Sequence, residues 1–398
     1  MVMSSALSAG QRLVLSHVFG EGTTTRPALV AATGLSKPSV NDAVAALTER
    51  GFLAQAGRDT PHTGKPAVRF RATTQTGWVL AVDCGSAHVR VLSSDLAATD
   101  VRTDQVHDRH WSTRDRGELL PAHVLDRAQH LVARAMAEQP QPPAAVAVAL
   151  PRILATEERS WTPAVPEEVA TVLAPVLETG DREKVLLEND VNCAALAEYR
   201  CGTAQERKTI TYLHLGRGIG AGTIAGGRIL RGAHGAAGEI SRIPYPGVPS
   251  CTGMEQRLSV DRMVEAVGAG AHRAPHSPGD VVAWLVRSAT AADAGHARAM
   301  IEQYTGDVAM ACATIAAVVD PEAIVLGGQL SRADAIVAAV QDKVGTLNEF
   351  ATIVPSSLDA RATGLGALTL ALDRAHVDLL GEHASHAATV VGRAAPSR

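Results

Sequence analysis

Two groups of residues in this 398-residue chain have types and spacings suited to chemistry. The first is a series of glycine turns and acidic residues that follow apolar runs. In order they are Asp83 with Gly85, Glu188-Asn189-Asp190, the stretch from Gly216 through Gly218 and Gly220 to Gly222, and Gly327-Gly328. A glycine turn at a strand end lets backbone N–H groups approach phosphate oxygens, so this order suits a nucleotide site. One such turn is common in any protein; three in order, with an Asn-Asp pair between a strand and a helix, are more telling. The second group is Lys37, Ser39, Asn41 and Asp42, polar residues at the start of a helical pattern that also holds Pro38. These side chains meet base edges and phosphates when a helix lies in a DNA major groove. Arg58, His62 and Lys65 lie in the turn-rich stretch GRDTPHTGKP and suit contacts to phosphates or a minor groove, although each taken singly is an ordinary solvated charge.

The elements that must position the second group are short. Leu29, Val30, Leu35, Val40, Val44 and Leu47 recur at three- to five-residue steps, which predicts two helices with a packed face. Gly34 sits where the chain must turn, Ser36 suits the cap of the second helix, and Pro38 falls in its first turn. A preceding helix is predicted at residues 11–18. Strands are predicted from Gly51 and over residues 67–72, on either side of the turn-rich loop. Three helices and a two-stranded hairpin make a winged helix-turn-helix, for which double-stranded DNA is the expected partner. An unliganded helical hairpin is the alternative.

From Gly77 onward strands and helices alternate. Strands are predicted at 79–82, 88–93, 144–150, 184–187, 210–215 and 324–326, and a hairpin returns through 228–230. Helices are predicted at 191–199, 260–267, 280–289, 291–318 and 366–375. Residues 377–398 read as a loosely ordered tail. The expected domains are therefore 1–76, 77–376 and the tail 377–398.

Charge divides in the same way. Residues 1–76 carry eight Lys or Arg against four Asp or Glu, a net +4, while the remainder carries −8. A basic head on an acidic body suits a DNA-reading module joined to something that does not touch DNA. Cys84, Cys193, Cys201, Cys251 and Cys312 are scattered without a C-x-x-C pair, which points to reduced thiols rather than a disulfide frame. No signal peptide and no apolar run of membrane-spanning length is present, so a cytoplasmic location without a membrane partner is expected.

The segments VDCGSA, ENDVNCAALAE, GRGIGAG, GAHGAAGEI and IVLGGQLS, following such a head, resemble the ROK family of sugar kinases and related transcriptional repressors. The resemblance covers roughly residues 10–375 and is most specific at 188–198 and 232–240. It implies an α/β fold: an N-terminal winged helix-turn-helix followed by two lobes of the actin-like ATPase (hexokinase/Hsp70) type. It places the sugar-holding groups at Asn189, Asp190, Glu239 and Glu255, with Asp190 matching the residue that takes a proton from a sugar hydroxyl. The local alternative for Asp190 is the N-cap of the helix that follows.

The departures from the family pattern bear on activity. Ser86 and Ala87 replace a Gly and a Thr in the first phosphate loop, Arg217 replaces a Thr in the second, and Arg152 replaces a Gly after Pro151. Arg242 stands at the position of a zinc-binding His, and Cys251 is the only thiol in the stretch that normally carries three, so no zinc and no cofactor are expected. The Arg242 cation either selects an anionic sugar derivative or pairs with Glu239 or Glu255. The resulting expectation is a DNA-binding regulator, a homodimer or homotetramer, that senses a sugar or sugar derivative with a degenerate kinase-like body. The alternatives are an active sugar kinase and a body that only dimerises.

Overall fold

The computed structural model describes residues 7–59, 66–85, 88–107, 122–154, 165–179, 182–245, 253–260, 295–328 and 334–386. They form two compact units. One holds residues 1–150, 157–188 and 367–398, and the other holds 151–156 and 189–366.

The first unit begins with α1 (Ala9–Glu21), β1 (Thr23–Thr25), α2 (Arg26–Thr33), α3 (Lys37–Glu49), β2 (Leu53–Arg58) and β3 (Val68–Ala72). The helices bury Val14, Leu15, Val18, Leu29, Val40, Val44 and Leu47 against one another, the apolar stripe that the spacing required. The strands form an antiparallel sheet in the order β1-β3-β2, so the hairpin expected from sequence gains a third strand. Three threonines were too short a run to announce β1. Their β-branched side chains suit it, and pairing with β3 supplies the rest.

The same unit continues with β4 (Trp78–Cys84), β5 (His88–Asp95), β6 (Arg102–His107), α4 (Ala122–Ala137), β7 (Ala145–Leu150), α5 (Glu167–Val172), α6 (Ala174–Leu177) and β8 (Val185–Asn189). Its sheet runs β6-β5-β4-β7-β8, with β4, β5 and β6 antiparallel and β4 parallel to β7. Every residue of β4 and of β7 is buried, as expected for central strands covered on both faces.

The second unit repeats this plan. α7 (Asp190–Cys201) precedes β9 (Thr209–Leu215), β10 (Ile219–Ala225) and β11 (Arg228–Ile229). Then follow α8 (Glu255–Leu258), α9 (Gly295–Val319), β12 (Ala323–Gly327), α10 (Asp334–Leu347) and β13 (Ile353–Pro355). The sheet runs β11-β10-β9-β12-β13, again an antiparallel meander extended by parallel strands. The last helix, α11 (Ala362–Leu380), starts in this unit and ends in the first.

Three expectations are corrected. The predicted tail is ordered in its first part: α11 runs to Leu380, which is fully buried, and a 3-10 turn over Gly381–His386 packs against α1. The run of Ala and His masked a helix whose burial comes from a distant partner. The glycine-rich turn ends at Gly218, because Gly220 and Gly222 lie within β10. Finally, β8 extends through Asn189. Most of the helices predicted at 260–267 and 280–289, and the start of that at 291–318, lie outside the described residues.

Candidate functional site

The α2–α3 turn is built by the residues the sequence singled out. Gly34 adopts a left-handed conformation at φ +68°, which costs a residue with a Cβ about 1–2 kcal/mol. The Ser36 side chain accepts a hydrogen bond from the Ser39 N–H at 3.2 Å, capping α3, and Pro38 sits in its first turn. Lys37, Pro38, Ser39, Asn41 and Asp42 are all exposed, while Val40, Ala43, Val44 and Leu47 face inward. The Ser39 hydroxyl also lies 2.8 Å from that of Ser36, so it is partly engaged in the cap. Arg58 is exposed at the end of β2, whereas His62 and Lys65 lie outside the described residues. Arg26 over the Phe70 ring and Arg50 over the Phe52 ring, at 4.6 and 4.8 Å, are further cations of this head that sequence reading did not single out.

At the turn expected from sequence to be the first phosphate loop, Asp83 and Gly85 are engaged by their own neighbours. Asp83 is 1% exposed, and its Oδ2 lies 3.0 Å from an Arg90 nitrogen and 3.1 Å from His88 Nε2. The cause is register. Asp83 stands directly opposite Arg90 across the β4–β5 pair, and Arg90 stands opposite Gln105 on β6, whose amide oxygen it reaches at 3.3 Å. His88 is two residues from Arg90 and so shares its face. The Gly85 N–H donates to the His88 carbonyl at 2.9 Å, and a Cβ on Gly85 would lie 2.7 Å from His88 Nε2. Both the carboxylate and the backbone donor that would face a phosphate are therefore engaged. Alternation along β4 and β5 is the sequence signal that points to Arg90.

The other two loops differ in detail. The Gly216 N–H donates to the Gly218 carbonyl and the Gly216 carbonyl accepts from Val260, which makes a three-residue turn between β9 and β10. Gly220 and Gly222 serve packing: a Cβ on Gly222 would lie 2.6 Å from the Val191 carbonyl oxygen, and one on Gly220 3.1 Å from the Val191 side chain. These glycines let β10 approach the first turn of α7. Gly327 ends β12 against the buried Tyr212 hydroxyl, and Gly328 follows at φ +90°. The Gly328 backbone hydrogen-bonds the Tyr212 hydroxyl, whose pKa is pushed up chiefly by burial.

At α7 the structure corrects one assignment. Asn189, rather than Asp190, is the N-cap: its Oδ1 accepts from the N–H groups of Val191 and Asn192 at 3.0 and 3.1 Å, and its amide donates to the Arg152 carbonyl at 3.2 Å. Asp190 occupies the first helical position, partly exposed, with Oδ1 accepting from Val191 at 2.8 Å. Both side chains have their backbones pinned. Further along α7, the fully buried Glu198 carboxylate accepts from the N–H groups of Thr203 and Leu358 at 2.8 and 3.1 Å.

Glu239 follows Gly238, whose φ of +86° and close approach to the Ala221 backbone dock this loop on β10. Arg242 is 73% exposed, with Nε 4.0 Å from Glu239, one of the two roles expected for it from sequence. Glu255 opens α8, and the segments around the two glutamates are joined by the Pro244–Gly253 bridge and by the Met254 N–H to the Ile243 carbonyl at 3.0 Å. A clasp holds this pair of segments to α9. The Tyr245 hydroxyl donates to Asp307, Arg257 forms an ion pair with the same carboxylate at 3.1 Å, and Arg257 stacks on the Tyr245 ring at 4.5 Å. The hydrogen bond to Asp307 raises the Tyr245 pKa.

Among the described residues, no group of three or more His, Cys, Asp or Glu is placed to hold a metal. Cys251 lies outside the described residues. No described helix is long and apolar enough to cross a membrane.

Residues 79–374 match the ROK family. The chain belongs to it. Over 189 residues it is 34% identical to the bifunctional enzyme NanE/NanK of Brucella melitensis, covering 46% of this chain and 34% of that protein. Over 251 residues it is 23% identical to the xylose repressor of Bacillus spizizenii, covering 61% of this chain and 62% of the repressor. The chain thus spans about a third of the first relative and less than two thirds of the second. Among solved structures, a ROK family transcriptional regulator described as a homolog of the E. coli MLC protein superposes with a TM-score of 0.66 at 19% identity, covering 95% of this chain and 99% of the other. That likeness establishes the ROK actin-like fold, with its two mixed sheets. Relatives of both kinds, repressors and sugar kinases, carry this domain.

Proposed function

We propose that this chain is a DNA-binding transcriptional regulator, of repressor type, whose kinase-like domain senses a sugar or sugar derivative. The N-terminal helices and sheet act as a winged helix-turn-helix, and two copies in a homodimer or homotetramer read the halves of a pseudo-palindromic operator. The observation that carries this reading is the closed first loop. A carboxylate held by Arg90 and His88, beside a Gly85 covered by the His88 ring, supports a body that senses rather than phosphorylates, because a kinase needs that carboxylate for metal–phosphate chemistry. Lys37, Pro38, Ser39 and Asn41 face the major groove, with Arg58 and Lys65 on phosphates. Asn189, Asp190, Glu239 and Glu255 take sugar hydroxyls, since carboxylates and amides accept or donate such bonds with fixed geometry.

Selection of bound duplexes from a genomic fragment pool tests the DNA half. A preferred pseudo-palindrome is expected. Its affinity should lose about one unit of salt slope when Lys65 or Arg58 is replaced by Ala, and its preference at one base pair when Asn41 is replaced. Binding without preference over random competitor defeats the reading. Titration with neutral and phosphorylated sugars, together with an ATP-turnover assay, tests the other half. ATP-dependent sugar phosphorylation that is lost in Asp190→Ala would favour a kinase instead, the reading that the intact Asn189-Asp190 pair supports.

A further inference from the structure

Within the second unit, one carboxylate gathers the segments that carry Glu239 and Glu255. Asp307, on α9, is 7% exposed and receives side chains from two other segments. The Tyr245 hydroxyl donates to its Oδ1, and Arg257 approaches its Oδ2 through Nε and Nη2, each at 3.1 Å. The Arg257 guanidinium also lies over the Tyr245 ring, so each of the three side chains touches the other two. One turn earlier on the same face of α9, the Tyr304 hydroxyl donates to the Leu258 carbonyl at 3.2 Å. Behind this seam Ile240, Met254, Leu258 and Val308 are buried in one cluster, with Ile243 packed against it. Apolar contact of that kind fixes how deeply the segments sit, but it has no direction. A guanidinium fork on a carboxylate has a fixed geometry, so it sets where they stop. The glutamates are close by along the chain. Arg257 lies in α8 with Glu255, and Tyr245 follows Glu239 just beyond the 3-10 turn of Ile240–Arg242. Both glutamates are partly exposed.

We infer that Asp307 is a positioning residue for the effector: by holding Tyr245 and Arg257 on one carboxylate, it sets the spacing of Glu239 and Glu255 and so the affinity for a sugar. The role of the two glutamates rests on the reading above, but the clasp does not. A ligand gripped by hydrogen bonds from two separate segments loses affinity when their spacing drifts, because each bond tolerates a narrow range of length and angle. Groups ordered in advance also spare the binding step the cost of ordering them. The Tyr245 phenol reports the contact, since its hydrogen bond to Asp307 raises its pKa.

The full chain carrying Asp307→Asn tests it. The amide keeps the size and an oxygen for Tyr245 but offers Arg257 no charge. Hydrogen–deuterium exchange in residues 239–245 and 253–258 should quicken about tenfold or more, as expected for losing a hydrogen bond between charged groups, while residues 209–225 keep the wild-type rate. Phenolate absorbance of Tyr245, taken in each background as the difference from the same chain with Tyr245→Phe, should appear at lower pH in Asp307→Asn. D-glucose and glucose 6-phosphate are the binding probes. Whichever binds the wild type should bind Asp307→Asn about tenfold more weakly. A clasp that serves stability alone would lower the urea midpoint and leave the affinity of the folded protein unchanged, which overturns the positioning role. Wild-type exchange in both segments, or an unchanged phenolate titration, overturns it as well. Binding of neither probe counts against the sensor reading, and exchange then decides the clasp: quickened segments uphold it and wild-type rates overturn it. If Asp307→Asn does not fold, Tyr245→Phe, which removes one hydroxyl, should give a smaller change of the same sign in exchange and binding.

Discussion

Replacing Arg90 by Met should reveal how firmly the first loop is closed. The change keeps most of the apolar stem but leaves the 1%-exposed Asp83 carboxylate with only His88 of the two side chains that hold it. Removing one member of a buried ion pair costs roughly 3–5 kcal/mol, because the other charge stays behind without compensation. Arg90 is 15% exposed and His88 Nε2 stays 3.1 Å from the carboxylate, so about 2–3 kcal/mol is the expected loss. With a urea m-value of about 2–3 kcal/mol/M, the unfolding midpoint of the unit carrying β4 and β5 should fall by about 1 M. The double change Asp83→Leu, Arg90→Met removes both charges and should recover most of that loss, giving a coupling of about 1–3 kcal/mol in a double-mutant cycle. A midpoint shift below about 0.2 M, or single losses that simply add, would refute the reasoning. Asp83 would then be free to meet a metal–phosphate group, as a sugar kinase requires.

Three further outcomes follow from the geometry. Ser36→Ala removes the cap of α3 and should destabilise the head by about 1 kcal/mol, seen as faster amide exchange in residues 37–40 and weaker operator binding. Gly222→Ala places a Cβ 2.6 Å from the Val191 carbonyl oxygen, so β10 and α7 must separate; a loss of about 1–3 kcal/mol is expected in urea unfolding, and a near-neutral result would mean that this packing is loose. His376 has a pKa held below its ordinary value of 6.5 by burial. The unfolded chain therefore binds this proton more readily, so the contribution of His376 is complete above about pH 6.5 and is lost as pH falls toward the folded value. His376→Phe should flatten that part of the pH–stability profile, and an unchanged profile would show that this ring does not titrate on unfolding.

Much of the head was legible because its determinants are local. Gly34 supplies a positive φ, Ser36 a capping hydroxyl, and the three- to five-residue apolar spacing a packed face, and each acts within one or two helical turns. The strands of the body were legible for a related reason: runs such as Ala145–Leu150 are apolar throughout because both faces are covered. The glycine-rich stretch after Leu215 was misjudged at Gly220 and Gly222, since a glycine needed for close packing looks the same in sequence as one needed for a turn. Asn189 and Asp190 were likewise indistinguishable as caps until the end of β8 was known.

By itself the sequence determined the element types, the charge contrast between head and body, and the family, because periodicity, composition and motif spacing are properties of neighbours along the chain. Tertiary structure alone decided which partners those residues meet. Tyr245 and Arg257 converge on Asp307 from separate segments, and the supposed tail becomes a seat for α1. Each of these pairings joins residues whose separation carries no periodic signal. Such contacts become visible only when the burial of whole elements has fixed where their side chains go.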